Sequence, residues 1–190
     1  MDTPLFAAVR ANDTMRVSSL LDAGADVNER GMMQMTPLHV AAYDDLTAMV
    51  ELLLNRNADI AAQNILGAQP LHFAALRASA ATVTLLLNRG APVNAEEHHN
   101  GTPLHCAAIY PGTADVITLL INAGASLSAK DKDGHTPLYL AAESQRLEKA
   151  ARLIVAHPAS AEDAATAELL RAKFDPVELA AAIALLTDTL

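Results

Sequence analysis

The sequence predicts an all-α fold of stacked helix pairs, and two observations lead to this prediction. The chain has 190 residues, of which 52% are hydrophobic but only 3% aromatic, and 40 are alanine. A core with so few aromatic side chains must be built from small residues and leucine, and this composition favours closely packed helices over a β-sandwich. The second observation is a Pro-Leu segment, usually preceded by Thr, whose prolines stand at positions 4, 37, 70, 103 and 137.

These prolines are spaced by 33, 33, 33 and 34 residues, and a second motif keeps the same phase. It reads LLDAGADVN (20–28), LLNRNADIA (53–61), LLNRGAPVN (86–94) and LLINAGASLS (119–128). Two motifs in phase over four periods indicate a helical repeat array. The pattern resembles the ankyrin-repeat family over residues 1–157, and this resemblance implies a solenoid of stacked helix pairs with β-hairpin fingers.

The composition of each repeat has a physical explanation. Threonine is a good helix N-cap, and proline suits the first helical position because the N–H that it lacks is not needed there. We expect a short helix after each proline and then a second helix, such as residues 47–55. The second helices are expected to end near Gly24, Gly90 and Gly124, because glycine readily adopts the left-handed conformation that closes a helix.

Several positions depart from the repeat pattern. The first of about five repeats lacks a preceding finger and is expected to be an N-terminal cap, and one extra residue at 110–113 explains the spacing of 34. Gln34 and Asn100 stand where the family favours a left-handed glycine, a conformation that Asn tolerates better than Gln. Gln69 replaces the capping threonine and is expected to weaken its helix start by about 0.5–2 kcal/mol.

The ankyrin pattern fades after residue 157, and residues 158–190 are predicted to form two further helices. Ser160 and Asp163 resemble a capping box that opens a helix ending near Lys173. Asp175 and Pro176 then form the cap and first position of a very apolar last helix. We interpret this pair as a C-terminal cap on the stack. A partner-binding amphipathic tail is the alternative.

Composition and charge limit the classes of function. Thirteen basic and 22 acidic residues give a net charge of −9, which is unsuited to nucleic acid or to an anionic membrane surface. No apolar run is long enough to span a membrane, and the N-terminus resembles no signal peptide. These features predict a cytoplasmic chain that is monomeric on its own. Secretion as an effector, or a signal that has already been removed, is the alternative.

Residues that could do chemistry have structural interpretations. His39, His72 and His105 recur at 33-residue spacing, and the family resemblance implies that they hydrogen-bond to finger backbone and tie repeats together. The Glu96–His99 stretch is interpreted as a solvated finger tip, although adventitious metal binding stays open. Cys106 occupies the slot of Val40, Phe73 and Leu140 in other repeats and is predicted to be a small core residue rather than an exposed nucleophile. We therefore predict no catalytic residue, no cofactor and no metal.

The remaining candidate site is the surface on which family members typically bind partners, formed by finger residues and residues that follow the Ala-Ala pair. Carried over position by position, the candidates are Met32, Met33, Met35, Tyr43, Ile65, Leu66, Leu76, Arg77, His98, His99, Ile109 and Tyr110. Folding does not require apolar residues there, so the apolar first two fingers indicate contact with a protein. The alternative is that these side chains pack against neighbouring fingers and stay half-buried.

The sequence thus favours a non-enzymatic module that binds a folded protein partner on its concave surface. An inhibitor or immunity-type protein that blocks a target enzyme is the main alternative. An enzyme is a more distant one, because it needs converging ionisable groups in a closed pocket. Loss of a target's activity on binding would distinguish an inhibitor from a scaffold.

Overall fold

The computed structural model describes residues 3–77, 79–112, 114–156 and 164–187, which form twelve α-helices, one 3₁₀ turn and no strand. The inner helices are α1 Pro4–Arg10, α3 Pro37–Tyr43, α5 Pro70–Leu76, α7 Pro103–Ile109 and α9 Pro137–Glu143. The outer helices are α2 Thr14–Asp22, α4 Thr47–Asn55, α6 Ala80–Asn88, α8 Asp115–Asn122 and α10 Leu147–Ala156. Two further helices, α11 Ala164–Lys173 and α12 Pro176–Thr187, follow. We call the pairs that begin at α3, α5, α7 and α9 units 1 to 4.

The inner helices begin where the sequence predicts, with proline at the first helical position. The side-chain oxygens of Thr3, Thr36 and Thr136 accept hydrogen bonds from the backbone N–H three residues later, at 3.3–3.4 Å. Each capped N–H would otherwise lack a partner at a helix start. Gly24 has a φ of +93° just after α2, as predicted for a helix end.

The helices stack in two rows, in which each inner helix contacts the next and each outer helix contacts the next. The Ala-Ala pairs of units 1 to 4 are buried on the inner helices, so neighbouring helices approach closely. Buried leucines form the core between the rows: Leu38, Leu53, Leu71, Leu86, Leu104, Leu120, Leu138 and Leu153. Each fully buried leucine contributes about 1.5–3 kcal/mol relative to an exposed one.

The fingers precede the inner helices of units 1 to 4 and comprise residues 29–35, 62–68, 95–101 and 129–135. Each is a hairpin-shaped turn whose two ends are joined by a backbone hydrogen bond from Gly31, Asn64, Glu97 or Asp131 to the carbonyl four residues later. Neighbouring fingers share one further bond, such as Ile65 N–H to the Met33 carbonyl at 2.9 Å. In the described residues, the predicted β-hairpins are therefore turns without strands, because one bond per finger pair is too few for a ladder.

The C-terminal helices pack on the last unit, with α11 against α9 and α12 against α10. Leu170 of α11 is buried in the shared core. Asp175 caps α12 as predicted, since its Oδ1 accepts hydrogen bonds from the N–H groups of Val177 and Glu178 at 2.8 and 3.1 Å. The predicted capping box at Ser160 and Asp163 lies outside the described residues.

Candidate functional site

Three histidines fix the fingers to the inner helices. His39 accepts a hydrogen bond at Nδ1 from the Thr36 N–H and donates from Nε2 to the Ala68 carbonyl at 3.0 Å. His72 and His105 repeat this arrangement, with the carbonyls of Gly101 and His135 as acceptors at 3.2 Å. Each imidazole therefore joins the start of one inner helix to the end of the following finger, as predicted.

Burial keeps these imidazoles neutral. It lowers the pKa of His39 from 6.5 to about 4 and also lowers the pKa values of His72 and His105, against the opposing effect of their carbonyl acceptors. Both ring nitrogens of each histidine are engaged by its own unit and the next finger. The three histidines therefore have a structural role, because each one links its own unit to the next finger.

The first finger presents methionines on a strained backbone. Met33 and Gln34 have φ values of +55° and +58°, in the left-handed region that β-carbon-bearing residues avoid. Met32 is 78% exposed and Met33 is 49% exposed, while Met35 is half-buried. Ile65 and Leu66 of the second finger are 55% and 43% exposed. The apolar side chains at the tips of the first two fingers are therefore exposed to solvent.

An aromatic cluster lies beside these fingers on the inner helices. The ring of Phe73 packs edge-on against His39 and Tyr43, with ring centroids 5.6 and 6.1 Å apart. The Arg77 guanidinium lies 5.2 Å from the centre of the Tyr43 ring, which is a cation–π contact. Tyr43 is thereby held between Phe73 and Arg77 at the edge of the inner face.

A groove of about 410 Å³ runs between the inner helices of units 2 to 4 and their fingers. Its floor is apolar and its finger side is charged. The floor comprises Phe73, Leu76, Cys106, Ile109, Tyr110 and Leu140, and Leu66 of the second finger adds an apolar side chain to the lining. The charged side carries Glu97, Asp131, Lys132 and Asp133, with His99 beside them.

One buried cation supports the rim of this groove. The Lys149 ammonium, on α10, donates hydrogen bonds to the carbonyls of Ala107 and Tyr110 at 2.6 and 2.7 Å. It thereby satisfies the C-terminal end of α7, where a positive charge is favourable, and holds the turn that contains the extra residue. Burial lowers the pKa of Lys149.

The sequence model of a family described as ankyrin repeats (3 copies) matches residues 1–64 and 71–165, which is most of the chain. The chain belongs to the ankyrin-repeat family. A search of curated proteins gave no significant match. Ankyrin repeats are generally protein–protein interaction modules without enzymatic activity. In the described parts of this ankyrin-repeat chain, no helix is long and apolar enough to cross a membrane.

The ankyrin fold places all twelve predicted site residues where solvent reaches them. Leu66, Leu76, His99, Ile109 and Tyr110 come together in the groove. The other seven lie outside its lining: Met32, Met33, Met35, Tyr43, Ile65, Arg77 and His98. The candidate surface therefore has an apolar part at units 1 and 2 and a groove at units 2 to 4.

Cys106 meets its predicted core position only in part. It packs against the core but is half-buried and also lines the groove. Burial, with a smaller contribution from the charge of Glu97, raises the pKa of its thiol to about 12. The thiol is thus protonated at neutral pH, which makes it a weak nucleophile.

The carboxylates and imidazoles of the last two fingers mostly have partners of their own. His99 Nδ1 lies 3.3 Å from Glu97 Oε2, whereas the His98 ring lies against Gly67, so the two adjacent imidazoles contact different groups. Asp131, Asp133 and His135 place ligand atoms within 4.8 Å of one another, a spacing that a metal ion could bridge. Asp133 is, however, bonded to the Lys132 ammonium at 3.0 Å, which lowers its pKa.

Proposed function

We propose that this ankyrin-repeat protein binds a folded protein partner on its finger and inner-helix surface and catalyses no reaction. The observation that carries the proposal is the exposure of apolar side chains at the finger tips. Met32, Met33, Ile65 and Leu66 are between 43% and 78% exposed, although their repeats already have a continuous buried core. Contiguous exposed apolar side chains on an otherwise polar surface typically mark protein contact sites.

The types of side chain support the same proposal. Methionines adapt their shape to a partner, and tyrosines supply large contact areas with a polar end. Tyr43 and Tyr110 are 41% and 43% exposed, and the Tyr43 ring is held between Phe73 and Arg77. A contact held in place before binding loses less conformational freedom when a partner docks.

We further propose that residues 1–157 form one solenoid and that residues 158–190 cap its end, in a cytoplasmic and monomeric protein. The contact of α11 with α9 and of α12 with α10 supports the cap. Repeat arrays need terminal elements that shield the last apolar face from water.

The binding proposal is tested by capture of the partner from native lysate, followed by calorimetric titration of single variants. Met33→Glu and Leu66→Glu are expected to weaken binding by about thirty-fold or more, as for interface hot spots. Met15→Glu is the matched control, because Met15 is 82% exposed on α2, outside the fingers. Normal binding by both finger variants would place the site elsewhere, whereas unfolding of both would make these residues part of the core.

The same titration distinguishes a scaffold from an inhibitor if the captured partner is an enzyme. Its activity is measured with and without saturating amounts of this chain. Retained activity supports a scaffold, and lost activity supports the inhibitor alternative.

A further inference from the structure

The groove combines an apolar floor with carboxylates that lack a strong cationic partner. The side chains of Glu97 and Asp131 are each only 16% exposed. Their closest ionisable partners are the Nδ1 atoms of His99 and His135, at 3.3 and 3.8 Å, and neither carboxylate pairs with Lys or Arg in the described parts of the chain. Asp133 differs, because the Lys132 ammonium neutralises it.

The remaining contacts of these two carboxylates are backbone N–H groups. Glu97 Oε1 accepts a hydrogen bond from the Gly101 N–H at 3.1 Å. Asp131 Oδ1 accepts two, from the Asp133 and His135 N–H groups at 3.0 and 2.9 Å. Such bonds fix the carboxylates in position without adding a positive side chain. The groove therefore carries fixed negative charge beside an apolar floor, where screening by salt is weaker than at an open surface.

The charge of Glu97 acts on the groove floor. It raises the pKa of the Cys106 thiol, after the larger effect of burial, and it opposes the lowering of the pKa of His72. The buried His72 and His105 rings of the groove have lowered pKa values, so they add no positive charge at neutral pH. A cationic group bound in the groove would therefore be attracted by the negative charge of Glu97.

The charged side chains change sign along the inner surface, from positive beside units 1 and 2 to negative beside units 3 and 4. Arg77 lies over Tyr43 beside units 1 and 2, whereas Glu97 and Asp131 lie beside units 3 and 4. A positive group on a partner is repelled at the Arg77 end and attracted at the other end. The surface thus fits a ligand in one orientation better than in the reverse one.

We propose that the groove binds an exposed loop of a partner protein that carries one apolar side chain next to a lysine or arginine. The apolar side chain packs on Phe73, Leu76 and Ile109, and the basic group pairs with Glu97 and Asp131. This inference rests on the proposed function and adds the chemistry of the partner. The net charge of −9 also favours association with a basic partner.

A library of disulfide-closed heptapeptides displayed on phage tests the assignment, because closed peptides mimic loops. The library is selected on the full chain, and enriched sequences are expected to contain an apolar residue next to Lys or Arg. The strongest peptide is then titrated against the unmodified protein and against Glu97→Gln/Asp131→Asn. We expect binding about ten-fold weaker for the double variant, as when a charge-assisted hydrogen bond is lost.

The controls separate charge from folding. Both amides keep the oxygen that accepts the backbone N–H bond, and Glu168→Gln removes one exposed carboxylate from α11 and is expected to bind normally. If the double variant melts early, replacing the basic residue of the peptide by Gln tests the same pairing on the unmodified protein.

Three results would overturn the assignment. They are no enriched peptide, enriched peptides without a basic residue, or equal affinity of the peptide for the unmodified protein and for the Glu97→Gln/Asp131→Asn variant. The proposed function fails on a different result, normal capture of the native partner by Met33→Glu and Leu66→Glu. The two failures are therefore distinguishable.

Discussion

The hydroxyl oxygen of Thr36 lies 2.8 Å from Nδ1 of His39 at the start of α3. The same contact recurs at 2.8 Å between Thr102 and His105 in unit 3. Unit 2 has Gln69 instead, whose buried side-chain oxygen Oε1 has no hydrogen-bond partner in the described residues. One repeat therefore lacks a contact that two of its neighbours make.

Gln69→Thr is expected to raise the free energy of unfolding by about 0.5–2 kcal/mol, because it restores a cap and removes an unpaired buried oxygen. Denaturant melts measure the change. Thr102→Gln is the reverse control and is expected to destabilise unit 3 by a similar amount. An unchanged midpoint for Gln69→Thr would show that its side chain finds an equivalent partner.

Gln34→Gly is expected to stabilise the chain by about 1–2 kcal/mol, because it relieves the left-handed backbone at φ +58°. Gly134→Ala is the matched reverse test, since Gly134 holds the corresponding place in the fourth finger with a φ of +83° and nothing within 4 Å of an added Cβ. It is expected to destabilise through the backbone alone. Equal stability of the two variants and the unmodified chain would contradict strain in the first finger.

The local motifs predict helix boundaries well, because caps and prolines act over a few residues. The second helix of unit 1 spans Thr47–Asn55, as predicted, and Gln34 and Asn100 both have positive φ. The groove is harder to predict. Phe73 and Cys106 share a repeat position with Val40 and Leu140, and the latter two are buried while the former two are partly exposed.

The repeat pattern does not account for that difference, since all four residues occupy the same place in their units. The contact of Lys149 with the Tyr110 carbonyl spans 39 residues and supports a turn that only unit 3 has. Such long-range contacts leave no periodic signal in the sequence.

Stability is expected to fall as the pH decreases from 7 to 5. The pKa of His39 is about 4 in the folded chain and 6.5 as the reference value, so the unfolded chain binds more protons in this range. His39 alone contributes about 2 kcal/mol to the loss, and His72 and His105 act in the same direction. Denaturant melts at pH 7 and 5 measure the difference. A smaller loss of stability between pH 7 and pH 5 in His39→Gln would confirm that His39 is a source of the pH dependence. An identical loss would contradict it.

Lys149→Met is expected to lower the free energy of unfolding by about 1–3 kcal/mol, because the carbonyls of Ala107 and Tyr110 lose a charged donor. Lys132→Met removes an exposed ammonium from the fourth finger and is expected to change stability by about 0.5 kcal/mol or less. Thermal melts of the two variants make the comparison. Equal melting temperatures would show that solvent replaces the Lys149 contacts.

Deletion of residues 158–190 tests whether α11 and α12 cap the stack. Their removal takes Leu170 out of the core and exposes the sides of α9 and α10 that they cover. We expect the shortened chain to melt at lower temperature and to self-associate, because an uncapped repeat array presents its apolar face to water. Light scattering and thermal melts measure both effects.

The exposed residues of α12 supply the control for this deletion. Val177 is 76% exposed, so Val177→Ser is expected to leave stability nearly unchanged while removing an apolar contact available to a partner. If the shortened chain stays monomeric and equally stable, the helices are not a cap. If Val177→Ser in the full chain then weakens binding of the partner, the C-terminal helices would be a second binding element rather than a cap.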